Sequence, residues 1–347
     1  MREPITRTLI IRFSSVGDII LTTPLVRSLR RAFPECRIDF LVKSAYADLL
    51  KGNPNLSRVM TFDGKEGIAG LCRLRKEISA EGYDLILDLH DSLRSRFICA
   101  GRRGVRRYRK RKLARAVLVR WQRDVYPLFD GSPPVIERYL ETVRHLGVSD
   151  DGDGPELFPS PGDVAAAGTL LQDAAAGWVG VSPSARHETK VWPPERFASA
   201  ASSLARARGF GVVLLGGPDD VERCGAVEAL LRAGSPGMPV VNAAGRLTLL
   251  QSAALMDRCA VVLANDSGLM HVASARKRPL VAVFGSTVRQ LGFAPYGRQS
   301  IVVERPEVLC RPCTGIGRAR CPQGHFRCML DISDGQVVAA ASTLLRS

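Results

Sequence analysis

The chain has 347 residues, of which 46% are apolar and 24% are charged, so it is long enough for two domains that each bury a core. Its net charge of +15 favours an anionic partner: a nucleic acid, an anionic membrane surface or a phosphorylated substrate. Nine cysteines are too few for a disulfide scaffold in a chain of this length. No apolar run reaches the roughly 20 residues that span a bilayer, and the amino terminus lacks a signal-peptide pattern. We therefore expect a cytoplasmic protein.

The first predicted elements form a strand–helix–strand unit. An apolar run at 8–13 predicts a buried strand, apolar residues at helical spacing predict a helix over 19–33, and 37–42 predicts a second strand. Such a unit implies a parallel sheet. Further along, the patterns predict a strand at 83–89 and helices at 66–81 and 134–146.

A stretch rich in Asp, Gly, Pro and Ser at 149–163 predicts an interdomain linker, after which the pattern restarts. The second half predicts strands at 178–181, 211–215, 240–241, 260–263 and 280–284 and helices at 194–208, 219–233, 248–258 and 333–346. We therefore predict an α/β fold of two Rossmann-like, doubly wound domains, residues 1–160 and 161–332. Their strand ends are expected to face a shared cleft, and residues 333–347 to pack back on the first domain.

The first strand ends at Ser14-Ser15-Val16-Gly17-Asp18, where Gly17 permits a tight turn and a helix begins. A carboxylate at this position suits a general base that removes a proton from an acceptor hydroxyl. Asp18 would equally serve as a helix cap, and the local sequence leaves both interpretations open.

Three motifs in the second half also follow predicted strands. Asn265-Asp266-Ser267-Gly268-Leu269-Met270-His271 places backbone N–H groups at a helix start, where a pyrophosphate is attracted, although a capped helix with a satisfied histidine has the same pattern. Lys190 and Arg186 lie between a strand and a helix and are expected to face donor phosphates, unless they are ordinary solvated loop residues. In Gly216-Gly217-Pro218-Asp219-Asp220 an acidic group at a sheet end is suited to ribose hydroxyls or to capping.

A basic run extends from Arg102 to Arg123, where eleven of twenty-two residues are Lys or Arg and apolar residues are interleaved. A solvated charged face is the usual reason for such a run. The density and the apolar stripe also suit an anionic lipid surface, the phosphates of an acceptor, or RNA.

Four cysteines cluster near the carboxyl terminus as Cys310-x-x-Cys313, Cys321 and Cys328, with His325 among them. The set resembles a structural zinc site, but seven and six residues separate the later members, which is not a standard zinc-finger spacing. Bound metal, reduced thiols and a redox-sensitive pair remain alternatives, and none of them is expected to be catalytic.

Four segments together resemble glycosyltransferase family 9, the ADP-heptose:lipopolysaccharide heptosyltransferases of Gram-negative bacteria. They are Leu9–Pro24, Tyr83–His90, Lys190–Pro193 and Asn265–His271, and the likeness runs over nearly the whole chain. The cysteine-rich tail is similar to that of heptosyltransferase II-type members.

The resemblance implies a GT-B fold, with the acceptor on the first domain and ADP-heptose on the second, and an inverting transfer without cofactor or catalytic metal. It makes Asp18 the base and Lys190 the donor-phosphate lysine. The residues expected at the donor are Ser184, Arg186, Asp219, Asp220, Asp266, Ser267, Gly268 and His271, and those expected at the acceptor are Ser15, Gly17, His90, Arg94, Arg107 and Arg109. The implied partners are a lipid A-core acceptor and the anionic inner-membrane surface on its cytoplasmic side, and no nucleic acid.

Other functional classes fit the sequence less well. A nucleotide-dependent oxidoreductase needs a dinucleotide fingerprint after a strand, and neither half has one. An RNA-binding protein that used residues 102–123 would need stacking platforms that the scarce aromatic residues do not supply. A GT-B transferase with another nucleotide sugar stays open, because the residues that contact the sugar ring are not identifiable from the sequence.

Overall fold

The computed structural model describes residues 5–129, 131–171, 175–297 and 299–346. The chain divides into two units, Met1–Arg111 with Val135–Phe158 and Lys112–Pro134 with Pro159–Ser347. Each unit is built on a parallel sheet, which confirms the predicted α/β class. The segment Lys112–Pro134 groups with the second unit, whereas we predicted an uninterrupted first domain over 1–160.

The first unit has a five-stranded sheet in the order β3-β2-β1-β4-β5. In chain order the elements up to the end of this unit are β1 (Arg7–Ile11), α1 (Val16–Ile20), α2 (Thr23–Ala32), β2 (Arg37–Lys43), β3 (Arg58–Phe62), α3 (Gly67–Glu81), β4 (Leu85–Asp88), α4 (Leu93–Cys99), β5 (Val105–Arg107), α5 (Lys112–Trp121, which belongs to the second unit) and α6 (Val135–Leu140). Strand β1 is central, and its apolar residues from Leu9 to Ile11 are fully buried, as expected for a strand covered on both faces.

The helix predicted over 19–33 is in fact two helices, because the helical structure is interrupted between Ile20 and Thr23. Pro24 lies in the first turn of α2, where a missing backbone N–H costs no helical hydrogen bond. The helix predicted over 134–146 likewise ends at Leu140 and is followed by a short 3-10 turn at Arg144–Leu146.

The second unit has a six-stranded sheet in the order β11-β10-β9-β6-β7-β8. Its remaining elements are α7 (Pro161–Gly168), β6 (Trp178–Ser182), α8 (Pro194–Arg208), β7 (Gly211–Leu214), α9 (Val221–Gly234), β8 (Val240–Asn242), α10 (Leu249–Met256), β9 (Cys259–Asn265), α11 (Gly268–Ala275), β10 (Leu280–Phe284), β11 (Ser300–Glu304), α12 (Arg327–Leu330) and α13 (Asp334–Leu344). The edge strands β3, β5 and β11 were not predicted; each has only three to five residues and at least one end residue that is charged or polar.

The predicted linker is held to the first unit by ion pairs. The guanidinium of Arg27 on α2 contacts a carboxylate oxygen of Asp151 at 2.6 Å and one of Glu156 at 2.6 Å. The hydrogen bonds from Arg27 lower the pKa of Asp151 to about 2, so this carboxylate stays charged at neutral pH. The acidic residues that made this stretch look like a free linker therefore fix it in place.

The carboxyl-terminal helix packs differently from our expectation. Helix α13 lies against α8 and the strands β9, β10 and β11 of its own unit, rather than back on the first domain. Val337 and Ala341 of this helix are fully buried in the core of the second unit. The apolar face of the helix is therefore covered by its own unit. Among the described residues, no helix combines the length and apolarity needed to cross a membrane.

Candidate functional site

Asp18 lies in the first turn of α1, directly after β1, and takes part in a capping box. The backbone N–H and the hydroxyl of Ser15 donate to one carboxylate oxygen of Asp18, at 3.1 and 2.8 Å. Arg12, at the end of β1, forms an ion pair with the other oxygen. The side chain of Asp18 is only 16% exposed, yet this exposure leaves it accessible at the carboxyl end of the sheet. These contacts are those of a helix cap. They also fix the Asp18 carboxylate at the end of β1, so the role of general base stays a prediction.

Arg12 is the buried partner that sets the charge of Asp18. Burial disfavours the charged carboxylate, but Arg12 and the hydrogen bonds from Ser15 outweigh it and hold the pKa of Asp18 below its usual value of 3.8. Arg12 itself is fixed by the carbonyl oxygens of Ser14, at 2.8 Å, and Leu89, at 2.5 Å. Asp18 is therefore ionised at neutral pH and able to accept a proton.

His90 lies after β4 at the same end of this sheet. Its ring stacks edge-on against Phe13, with centroids 5.0 Å apart. Burial lowers the pKa of His90 to about 4, and the positive charges of Arg12 and Lys110 add to this effect. At neutral pH the imidazole is uncharged, so His90 offers hydrogen bonding rather than charge to an acceptor.

The other residues that were predicted to bind the acceptor are spread over the first unit. Ser15 is exposed beside Asp18, and Gly17 is buried in the first turn of α1. Arg107 is exposed and lies 3.7 Å from a carboxylate oxygen of Asp88, whose pKa is raised by burial. Arg94 and Arg109 are exposed, and the structure does not bring either of them into contact with Asp18.

Lys190 meets Asp266 in the second unit. Its ammonium lies 2.7 Å from a carboxylate oxygen of Asp266, and the two side chains are 14% and 7% exposed. The hydroxyl of Thr287, after β10, donates to the same oxygen at 2.6 Å. The ion pair fixes the ammonium at the carboxyl end of β9. Asp266, which was predicted to bind the donor, thus contacts the lysine.

Asn265 holds both ends of the single loop that runs from β6 to α8 and carries Ser184 and Lys190. Its side-chain oxygen accepts the backbone N–H of Trp192 at 3.0 Å, and its side-chain N–H donates to the carbonyl of Pro183 at 2.9 Å. Asn265 is completely buried. It therefore connects this loop to the end of β9, just before α11.

Buried hydroxyls lie at the end of β6, in the loop that follows it and at the start of α11. Within the part of the chain that the structure describes, the side-chain oxygens of Ser182, Ser184 and Ser267 are buried and have no hydrogen-bond partner. Gly268 begins α11, and His271 is buried in its first turns. Arg186 is exposed. The pKa of His187 is lowered mainly by burial, and the positive charges of Lys190 and Arg186 add to this effect. Lys190 and Arg186 thus both lie close enough to His187 to act on its pKa.

The two acidic residues after β7 have different surroundings. Asp220 accepts the backbone N–H of Gly217 at 2.8 Å and so caps the turn that leads into α9. Asp219 is exposed. Of the two, Asp219 has the freer carboxylate for a ribose hydroxyl.

Thr189 attaches the Lys190 loop to the carboxyl-terminal segment. Its hydroxyl accepts the backbone N–H of Arg318 at 2.8 Å and lies 3.0 Å from the hydroxyl of Ser286. Its own backbone N–H donates to the carbonyl of Arg318 at 3.1 Å. Thr189 is 2% exposed, so these hydrogen bonds have no competition from water.

We expect Thr189→Val to misplace Lys190, because valine keeps the shape but leaves the N–H of Arg318 unsatisfied. The variant should lose about 1–3 kcal/mol of unfolding free energy and should raise the apparent Kd for ADP. Thr189→Ser keeps the hydroxyl and is the matched control. Calorimetric titration with ADP and thermal unfolding measure the two effects. Equal ADP affinity in the two variants would show that Thr189 does not position Lys190 for ADP binding.

The four clustered cysteines line one small cavity of about 10 Å³, together with Thr189 and Ser286. Among the described residues, no three His, Cys, Asp or Glu side chains are placed to hold a metal ion, which was one of the three alternatives for this cluster. All nine cysteines are free thiols. Burial raises the pKa of Cys328 to about 12 and also raises that of Cys313, which keeps both protonated.

Sequence reasoning missed three residues that organise these sites: Arg12, Thr189 and Asn265. Each is adjacent to or inside a motif that was recognised, and each is buried and polar. Arg12 and Asn265 are polar residues at the end of an apolar strand sequence, and this pattern could have identified them. Polar residues at such positions are buried only when they have hydrogen-bond partners. Thr189 carried no comparable signal, because its partner is 129 residues away.

Comparison with known proteins agrees with these features. The model of glycosyltransferase family 9 (heptosyltransferase) matches residues 71–320, which is more than half of the chain. Lipopolysaccharide heptosyltransferase 3 of Escherichia coli is 30% identical over 78% of this chain and 81% of its own length. Lipopolysaccharide heptosyltransferase 2 of Salmonella typhimurium is 28% identical over 98% of both chains.

A solved structure supports the fold. The glycosyl transferase family 9 protein from Veillonella parvula superimposes with a TM-score of 0.80 at 24% identity, covering 100% of this chain and 99% of that one. This likeness confirms the predicted GT-B fold class. Taken with the family match and the relatives, it shows that the chain belongs to glycosyltransferase family 9 and is a glycosyltransferase.

Proposed function

We propose that this protein transfers a heptose from ADP-heptose to the inner core of lipopolysaccharide, with inversion at the anomeric carbon. Its similarity to heptosyltransferases 2 and 3 supports the donor and the acceptor class. The observation that carries the proposal is the Lys190–Asp266 ion pair at the start of α11. A fixed ammonium, a helix amino terminus and unpartnered hydroxyls together suit a diphosphate.

The first unit provides the base in this proposal. The carboxylate of Asp18 takes the proton of an acceptor hydroxyl as that oxygen forms a bond to the anomeric carbon. The bond from this carbon to the donor phosphate oxygen breaks, and its electron pair leaves with ADP. One carboxylate is enough, because a diphosphate leaves without protonation of a glycosidic oxygen.

The second unit holds the donor. Lys190 and the N–H groups at the start of α11 offset the negative charge that grows on the departing diphosphate. Asn265 and Asp266 keep these groups in place. Ser184, Ser267 and Arg186 are further candidates for the phosphates, and Asp219 for the ribose. The reaction needs no cofactor in this scheme.

The acceptor is a lipid-anchored saccharide, so we place the enzyme on the cytoplasmic face of the inner membrane. The neutral imidazole of His90 and the exposed guanidiniums of Arg94, Arg107 and Arg109 are the acceptor-side candidates in the first unit. The arginines suit the phosphates of an inner core, because guanidinium groups bind phosphate through paired hydrogen bonds.

Incubation of the protein with ADP-heptose and a series of truncated lipopolysaccharides tests the function. Mass spectrometry should show the addition of one heptosyl residue to one truncation, and nuclear magnetic resonance of the product should show inverted anomeric configuration. Parallel reactions with ADP-, GDP- and UDP-hexoses test the alternative of another nucleotide sugar. Transfer from one of these and none from ADP-heptose would reject the proposed donor.

A further inference from the structure

Helix α5, Lys112–Trp121, exposes a face that the catalytic proposal does not use. Ala114 and Leu118 are buried against Tyr126 and Leu291, so this side attaches the helix to its unit. Leu113, Val117 and Trp121 follow one another at intervals of four residues on an adjacent side, and Leu113 and Trp121 are 69% and 61% exposed. Exposed apolar side chains that share one face of a helix and are rimmed by polar residues are typical of an interaction site.

Basic side chains flank this stripe. Lys112, Arg120 and Arg123 are exposed, and in the described ranges none of them takes part in an ion pair. Uncompensated positive charge beside exposed Leu and Trp is the composition of a helix that lies in the interface of an anionic bilayer. Trp is favoured at the level of the lipid headgroups, and Arg pairs there with phosphate.

We propose that the docking face, formed by Leu113, Val117, Arg120 and Trp121 with Lys112 and Arg123 at its ends, binds the surface of an anionic membrane. The inference rests on the proposed function, whose acceptor is a lipid, and it names the surface involved. A second copy of this chain is a poorer occupant, because the basic residues of two such faces would repel each other. RNA is also a poorer one, since Trp121 is the only aromatic side chain on the face.

Tryptophan fluorescence gives a specific readout of this contact. The chain has three tryptophans, and Trp178 and Trp192 are 4% and 0% exposed. A blue shift of the emission on addition of vesicles therefore reports on Trp121. We expect the shift with phosphatidylcholine vesicles that contain about 30% phosphatidylglycerol and not with pure phosphatidylcholine, and we expect about 0.5 M salt to weaken it.

Sedimentation with the same vesicles measures affinity. Arg120→Gln with Arg123→Gln should weaken binding about fivefold for each charge removed. Leu113→Ser with Trp121→Ser should weaken it at least about tenfold. Matched controls are Ile68→Ser, an exposed apolar residue of α3, and Arg206→Gln with Arg208→Gln on α8; both should bind as the wild type does.

Transfer to a deacylated, water-soluble acceptor separates this inference from the proposed function. The docking variants should keep that activity while losing vesicle binding. Unshifted Trp121 emission, or variants that sediment as the wild type does, would overturn the docking face even if transfer is observed. Tighter binding of the docking face to a single-stranded RNA than to vesicles would overturn it as well. Absence of transfer with intact vesicle binding would reject the proposed function alone.

Discussion

Asp18→Asn should lower kcat by about 10²–10⁴-fold, which is the usual contribution of a general base. Asparagine keeps the shape of the side chain and can still accept the N–H of Ser15, but it takes no proton from an acceptor hydroxyl. ADP binding should be nearly unchanged, because its proposed site lies in the second unit. Steady-state kinetics with a soluble acceptor and calorimetric titration with ADP measure the two effects.

The helix cap at Asp163 offers a matched control. Ser160 donates its backbone N–H and its hydroxyl to Asp163 at 2.8 and 2.6 Å, as Ser15 does to Asp18, but only Asp18 also pairs with a buried arginine, Arg12. Asp163→Asn should therefore cost a similar amount of capping free energy, about 1 kcal/mol, and no turnover. If Asp18→Asn keeps more than about a tenth of the wild-type kcat, Asp18 is a cap and not the base.

The pH dependence of the wild type gives an independent check on the same group. Arg12 holds the pKa of Asp18 below 3.8, so the carboxylate stays charged as the pH falls from 7 toward its usual titration range. Activity that depends on this group is present above that pKa and is lost only below it. We expect kcat/KM to show no loss from Asp18 between about pH 5 and 7, and an acid limb there that disappears in Asp18→Asn would contradict the depressed pKa.

Lys190→Ala should lower kcat by about 10²–10³-fold, as does the loss of other groups that stabilise a developing negative charge. It should also weaken ADP binding, because the diphosphate loses its fixed ammonium. The variant leaves the carboxylate of Asp266, whose side chain is only 7% exposed, without its cation, so the measured loss also contains the effect of the broken ion pair.

The double variant Lys190→Met with Asp266→Asn separates the two roles. It removes both charges and leaves a neutral pair, which relieves the uncompensated carboxylate. If Lys190 stabilises the departing diphosphate, the double variant should remain as slow as Lys190→Ala. Recovery of wild-type kcat in the double variant would show that Lys190 only balances Asp266. Thermal unfolding of both variants records the stability of the ion pair separately.

Local patterns in the sequence were enough for the βα alternation and for the positions of the motifs. Apolar runs such as 8–13 and 260–263 predicted central strands, because a strand covered on both faces must be apolar throughout. Asp18, Lys190 and Asp266 were recognised because each follows such a strand, and the carboxyl ends of parallel strands are where such sheets bind ligands. The short edge strand β5 was missed, since its Val-Arg-Arg sequence has too few apolar residues to show a period.

Tertiary structure decided which partner each of these side chains has. Asp18 and Arg12 are near neighbours in sequence, but Lys190 meets Asp266 across 76 residues, and Thr189 meets Arg318 across 129. The assignment of Lys112–Pro134 to the second unit and the packing of α13 on its own sheet were also beyond prediction. The physical reason is the same in each case: periodicity and caps act within a few turns of chain, whereas buried polar pairs form only after the chain has brought distant segments together.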